Sequence, residues 1–257
     1  MTVTLATTFN PRGEVGRLQR LYPQLQAVYG DIVISMPPVA NAEDVVAVKA
    51  LPGVIAFVNE NWSHGRYMAL RQALETPGEA IHYADMDRLL RWVELLPDEW
   101  RSTVDAVARC ECLVIGRTEQ AWATHPQALR RPEKITNTLF SYLLGQALDF
   151  GAGSKGFSRR AVEVLMANTS PGRALGTDAE WIVVLHRAGF RVESLLVDGL
   201  DWESADRYAD QAADAEAQRR AAEAYDAQAK SWAYRIETII ETVESGLEAM
   251  QRPLVLD

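Results

Sequence analysis

Up to about residue 200 the chain alternates short, β-branched apolar runs with longer stretches whose apolar residues recur every three or four positions. Val3, Leu5 and their neighbours form a short run stopped by Asn10-Pro11. Residues 12–29 then carry Val15, Leu18, Leu21 and Leu25 at helical spacing. The run at residues 31–36 closes on Pro37-Pro38, residues 43–51 read as a helix, and residues 53–58 read as a third strand. A helix over residues 65–75 precedes a fourth strand over 80–84, which ends at Asp85. Further on, the pattern predicts a helical stretch over 89–107, a strand over 111–118 and a helix over 132–148. A glycine-rich loop follows at 150–157, with a helix opening near Ser158. The last elements before residue 200 are a helix over 177–188, a strand over 191–197 and a turn at Asp198-Gly199.

Strand, helix, strand in this order implies a mainly parallel α/β sheet with right-handed crossovers and helices on both faces. Ligands of such sheets sit outside the carboxyl ends of the strands. Thr7, Thr8, Asn10, the Met36-Pro37 loop and Asp85 all fall on that edge. Beyond residue 204 the composition shifts to Ala, Gln, Glu, Asp and Arg, which favour helix. Tyr225, Trp232, Ile236, Ile239, Ile240, Val243 and Leu247 make an apolar stripe there. The expected division is an α/β domain over 1–204, which would carry the ligand site, and a helical extension over 205–257. The stripe would pack on the domain or on a second copy in a homodimer.

The charge balance narrows the function classes. Thirty-five acids against 26 bases leave a net charge of −9, which argues against bulk nucleic-acid binding. Apolar residues make up 48%, ordinary for a globular protein. Cys110 and Cys112 are too close for an ordinary disulfide and lack a second pair for zinc; a reducing cytoplasm fits them. No signal peptide and no membrane-spanning run is expected. The four histidines lack metal-ligand spacing, and His82 alternates with apolar strand residues as a structural side chain would.

The chemistry points to Asp85-Met86-Asp87. Two carboxylates at a strand end can hold Mg²⁺ or Mn²⁺ against a diphosphate, since both ions prefer oxygen ligands shared with substrate phosphates. Asp87 also suits the first turn of the next helix. The run Gly151-Ala152-Gly153-Ser154-Lys155-Gly156 reads as a tight turn that lets backbone approach a ligand.

Four segments together resemble family 2 glycosyltransferases of the GT-A (Rossmann-like) fold, over residues 2–204. The helix Gly65-Arg66-Tyr67-Met68-Ala69-Leu70 is similar to that of spore-coat-polysaccharide-type members. Asp85-Met86-Asp87 stands at the family's Asp-x-Asp. The segment from Gly151 to Phe157 and Arg159 is similar to an acceptor-side stretch of polyprenol-phosphate glycosyltransferases. Thr177-Asp178-Ala179-Glu180-Trp181 followed by Gly189-Phe190-Arg191-Val192 resembles the family's Asp-x-Glu helix and the strand behind it. The chain departs from the family where Asn10-Pro11 replaces Asn-Glu and where Met36-Pro37-Pro38 lacks the usual acid.

The resemblance implies a metal-dependent, inverting transfer from a nucleotide-diphospho-sugar to an acceptor such as a saccharide or a polyprenyl phosphate. It implies donor contacts by Thr7, Thr8, Asn10, Arg66 and Asp85, with Asp85 and Asp87 on the metal. Asp178 or Glu180 would be the general base. The two point about 200° apart around a helix, so only one can face the sugar, and Asp178 is favoured. Lys155 and Trp202 would lie beside the acceptor. The competing reading is a non-catalytic nucleotide- or sugar-binding protein on the same fold.

Overall fold

The structure, a computed structural model, describes residues 2–256. Seven strands form one sheet in the order β3-β2-β1-β4-β6-β5-β7. They are β1 (Val3–Thr8), β2 (Asp31–Met36), β3 (Val54–Val58), β4 (Ala80–Asp85), β5 (Cys112–Arg117), β6 (Ser154–Ser158) and β7 (Val192–Val197). All run parallel except β6, which lies antiparallel between β4 and β5. This mostly parallel sheet flanked by helices matches the expected fold class. The strand order reverses at β1, which has β2 on one side and β4 on the other. The register there sets Thr8 beside Asp85, the last residues of their strands. A crevice at the carboxyl ends of strands, at a reversal point, is the usual ligand position of an open α/β sheet.

Each face of the sheet carries its own core. On one face α1 (Val15–Val28), α4 (Met86–Leu95) and α5 (Pro97–Val107) bury Leu18, Trp92 and Trp100 against Leu5, Ile32 and Ile115. On the other, α3 (Gly65–Ala73), α7 (Gln127–Leu144), α8 (Arg159–Asn168) and α9 (Thr177–Arg187) bury Leu70, Phe140 and Trp181 against Val33, Ile81 and Val114. The short helices α2 (Ala42–Lys49) and α6 (Glu119–Thr124) complete the connections within the sheet domain.

Several local expectations are corrected. The stretch 89–107 is two helices, because Pro97 opens α5 after Leu96 leaves the helical conformation (φ −134°, ψ 59°). The helix expected from Pro132 begins at Gln127. Its start is capped by the Asp226 carboxylate, which accepts from the Gln127 and Ala128 amides at 2.9 and 2.8 Å. The glycine-rich segment is not simply a loop. Gly153 (φ +71°) makes a left-handed turn into β6. Gly156 lies under α5, where an added Cβ would come within 2.7 Å of Val107. That glycine serves helix–sheet packing rather than a ligand.

Cys110 and Cys112 are free and buried, and burial pushes the Cys110 thiol up to about 12. His82 is buried between the Tyr29 hydroxyl (2.7 Å) and the Ser154 hydroxyl (2.9 Å), where burial holds its pKa down to about 3.

Beyond residue 204 two helices form, α10 (Ala215–Asp226) and α11 (Ala229–Gln251). Among the described residues no helix is long and apolar enough to cross a membrane. α11 lies across α7 and α9, and Gly246 allows the close approach: a Cβ there would come within 2.2 Å of Phe140 and 2.9 Å of Ala179. Gly246→Val should therefore lower stability by about 1–3 kcal/mol. Urea unfolding checks this, and an unchanged midpoint would show that α11 does not depend on that contact.

Candidate functional site

A cavity of about 270 Å³ opens at the carboxyl ends of β1 and β4. Asp85 sits at its floor, placed there because it ends β4 and precedes the first turn of α4. Its Oδ1 accepts from the Tyr83 hydroxyl at 2.6 Å and the Thr8 hydroxyl at 3.2 Å. Its Oδ2 accepts from Arg66 Nη2 at 2.9 Å. Arg66 lies in the first turn of α3, and its other nitrogen, Nη1, stands 2.9 Å from Asp178 Oδ1. Lys155 Nζ reaches the same Oδ1 at 2.8 Å and donates to the Phe150 carbonyl at 3.1 Å. A buried chain of alternating charge thus runs Asp85, Arg66, Asp178, Lys155.

These charges set the ionisation states. Burial opposes the Arg66 charge, but Asp178 and Asp85 outweigh it and push the guanidinium pKa up. Burial alone would raise the Asp178 pKa; Arg66 and Lys155 overcome it and hold that carboxyl at about 2. Both cations meet Asp178 at Oδ1, which leaves Oδ2 without a protein donor on a residue that lines the cavity.

A second group of charges lies beside the first. Asp87, in the first turn of α4, has only Arg12 Nη2 at 3.4 Å and the Arg88 amide at 3.0 Å. Burial, then the nearby Glu203 and Asp85 charges, push its pKa up to about 6. Glu203 opens a 3₁₀ turn (Glu203–Asp206) after β7 and is 6% exposed. Its Oε2 stands 3.4 Å from Arg88 Nε and receives no hydrogen bond. The turn is fixed from behind, as Asp206 pairs with Arg17 (2.8 Å) and Arg91 (2.7 Å), and Arg91 also holds Asp201 (2.7 Å).

Among the described residues no group of three His, Cys, Asp or Glu side chains is arranged to enclose a metal ion. Among the described residues that line the cavity, Asp87 and Glu203 are carboxylates with few protein donors, and the charge of one is felt by the other. Such a pair fits Mg²⁺ or Mn²⁺ sharing its remaining positions with phosphate oxygens and water. Asp85 already accepts three hydrogen bonds from the protein.

Thr8, Asn10, Arg66, Asp85, Asp87 and Asp178 line the cavity, and four other expected site residues do not. Thr7 is buried and donates to the Thr8 carbonyl at 3.3 Å. Lys155 is 1% exposed and lies behind Asp178, because the register sets it opposite Tyr83, on the sheet face that α9 covers. Glu180 points around α9 to Arg252 at 2.7 Å, the divergence that helical spacing requires. Trp202 is buried edge-on to Tyr225, ring centroids 6.0 Å apart.

The cavity also takes residues the sequence reading missed: Arg12, Arg88, Glu133, Glu203 and Arg207, with Tyr234, Arg235 and Thr238 from α11. Only the position of Arg12, beside the breaker after β1, hinted at its place. The others arrive by tertiary packing, Glu133 being held by Arg117 at 2.6 Å.

Asp178→Asn should destabilise the protein by about 3–5 kcal/mol near neutral pH, since it strips the counter-charge from two buried cations. The folded-state pKa lies below the ordinary 3.8, so the stabilisation is present above that value and lost as pH falls toward about 2. Denaturant unfolding of both proteins should show the gap narrowing over that window. A constant gap would mean the carboxylate charge is not what stabilises.

A scan against protein-family models finds no match, and no curated protein matches in sequence. Solved structures do match in shape. Glucosyl-3-phosphoglycerate synthase from Mycobacterium tuberculosis, in complex with Mn²⁺, uridine diphosphate and phosphoglyceric acid, superposes with a TM-score of 0.59 at 12% identity, covering 98% of this chain and 79% of that one. The same enzyme with Mn²⁺, uridine-diphosphate-glucose and phosphoglyceric acid gives 0.58 at 12% identity, covering 98% and 80%. With glycerol 3-phosphate in place of phosphoglyceric acid it gives 0.56 at 11%, covering 98% and 81%. At such low identity the likeness concerns the fold, and this chain has the GT-A (Rossmann-like) fold of those glycosyltransferases.

Proposed function

We propose that this protein is a glycosyltransferase that moves a sugar from a nucleotide-diphospho-sugar to an anionic acceptor. The observation that carries the reading is the cavity at the β1/β4 reversal, where Thr8, Asn10, Arg66, Asp85, Asp87 and Asp178 converge. The solved neighbours of the same fold bind a uridine-diphosphate sugar and Mn²⁺. Here Thr8, Asn10, Ser35 and Pro37 line the part of the cavity suited to the nucleoside.

Asp87 and Glu203 would hold a divalent cation, Mg²⁺ or Mn²⁺, which when bound would neutralise charge on the departing diphosphate. Arg66 holds Asp85 and Asp178 in place. Asp178 Oδ2 accepts the hydrogen bond of the acceptor hydroxyl and, as that hydroxyl's oxygen bonds the sugar and the sugar–diphosphate bond breaks, takes its proton. Its two cations make Asp178 a weak base, so orienting the hydroxyl is the larger part of its work, and the proton passes on to solvent. Arg12, Arg207 and Arg235 line the cavity, and Arg207 is exposed with no hydrogen bond from its side chain to the protein. Arg235 donates through Nε to the Tyr225 hydroxyl at 3.1 Å and keeps its other nitrogens free. Arg207 and Arg235, with Arg12 beside them on Asp87, favour a phosphate or carboxylate on the acceptor. Polyprenyl phosphate and small soluble phosphates share that chemistry, and phosphoglyceric acid occupies the neighbour's structure.

The test is release of nucleoside diphosphate from a panel of nucleotide sugars, with and without Mn²⁺ or Mg²⁺, across phosphorylated and neutral acceptors. Turnover should require the cation and a phosphorylated or carboxylated acceptor. Asp87→Asn should weaken cation-dependent donor binding on the order of 10–100-fold. A product of inverted anomeric configuration is expected if Asp178 serves the attacking hydroxyl, and retention removes it from that role. Donor binding without turnover on any acceptor would favour the non-catalytic reading.

A further inference from the structure

We propose that the outer face formed by α7 and α11 is the docking surface for a second copy of this chain. The inference goes beyond the catalytic reading and does not depend on it. An apolar groove of about 480 Å³ runs between the two helices, walled by Trp232, Ile236 and Ile240 on one side and Ile135 on the other. A second hollow of about 590 Å³ continues it along α7 past Tyr142, sharing Arg131 and Ile135. The side chains stand well out of the protein: Ile135 is 60% exposed, Tyr142 84%, Ile236 51% and Ile240 53%. Apolar residues this exposed and this contiguous mark a contact surface rather than ordinary scatter.

Charge identifies the occupant. The α7 rim carries Arg131 and Lys134; Glu244 lines the groove on the α11 side, with exposed Glu237 two turns earlier on that helix. Arg131 donates only to Gln127 Oε1, at 3.3 Å, and among the described residues Lys134, Glu237 and Glu244 have no ion-pair partner. A two-fold axis through the groove sets the basic rim of one copy opposite the acidic rim of the other. That is the self-complementarity an isologous interface requires. A lipid surface fits less well, because anionic headgroups would meet the α11 acids on a chain of net charge −9. The opposite side of α11 presents Tyr234, Arg235 and Thr238 to the cavity, so a docked copy would brace a cavity wall from behind.

Sedimentation velocity over a wide dilution series tests the proposal. Wild type should sediment as a dimer whose melting temperature rises with concentration, and the exposed double substitution Ile236→Glu/Ile240→Glu as a monomer with an unchanged far-ultraviolet spectrum and a melting temperature independent of concentration. Lys134→Glu or Glu244→Lys alone should weaken the dimer about tenfold or more, and the two together should restore it. A wild type that is monomeric at every concentration would overturn the proposal. So would a double variant that stays dimeric, or one that keeps its mass while losing flotation on phosphatidylglycerol vesicles shown by wild type.

Discussion

The site depends on one buried guanidinium. Arg66 stands between Asp85, delivered by the end of β4, and Asp178, delivered by the start of α9, at 2.9 Å from each. Lys155 closes the group from β6. Two cations face two carboxylates, so the set is neutral and can stay buried, while removal of any one member leaves an uncompensated charge in the interior. This electrostatic unit ties the β1–β4 half of the sheet to the β6 and α9 half. On the proposed function, Asp85 is the scaffold of the site, and Asp87, Glu203 and Asp178 Oδ2 are the oxygens left to a ligand.

The local pattern made much of the frame legible. Val3–Thr8 and Ala80–Asp85 are short apolar runs with abrupt ends, so the strand-edge position of Thr8 and Asp85 follows from pattern alone. The helix starting at Gly65 placed Arg66 near them, and helical spacing separated Asp178 from Glu180. β6 was hidden because Ser-Lys-Gly-Phe-Ser has no strand-like alternation. Lys155 is buried there by its ion pair, and Gly156 is required by Val107 on another element. Glu133, Glu203 and the α11 residues were hidden for a different reason. Glu203 is marked only by its neighbour Trp202 and the α11 residues only by the apolar stripe around them, and they reach the cavity through contacts spanning most of the chain.

The later part of the chain then does more than cover the core. The Glu203 turn is pinned to α1 and α4 by Arg17 and Arg91, and α11 is drawn onto α7 and α9 through Gly246. Both elements add charged and hydroxyl groups to a cavity whose floor belongs to the sheet. On the proposed function this gives a division of labour, with strand ends on the donor side and the C-terminal helices shaping the side where an acceptor would enter.

The most direct measurement is a crystal structure of the protein grown with a nucleoside diphosphate and Mn²⁺. The account predicts the diphosphate at the β1/β4 edge beside Asp87 and Glu203, with Arg66 still bridging Asp85 and Asp178. A nucleotide bound elsewhere, or one that pulls Arg66 away from both carboxylates, would contradict it.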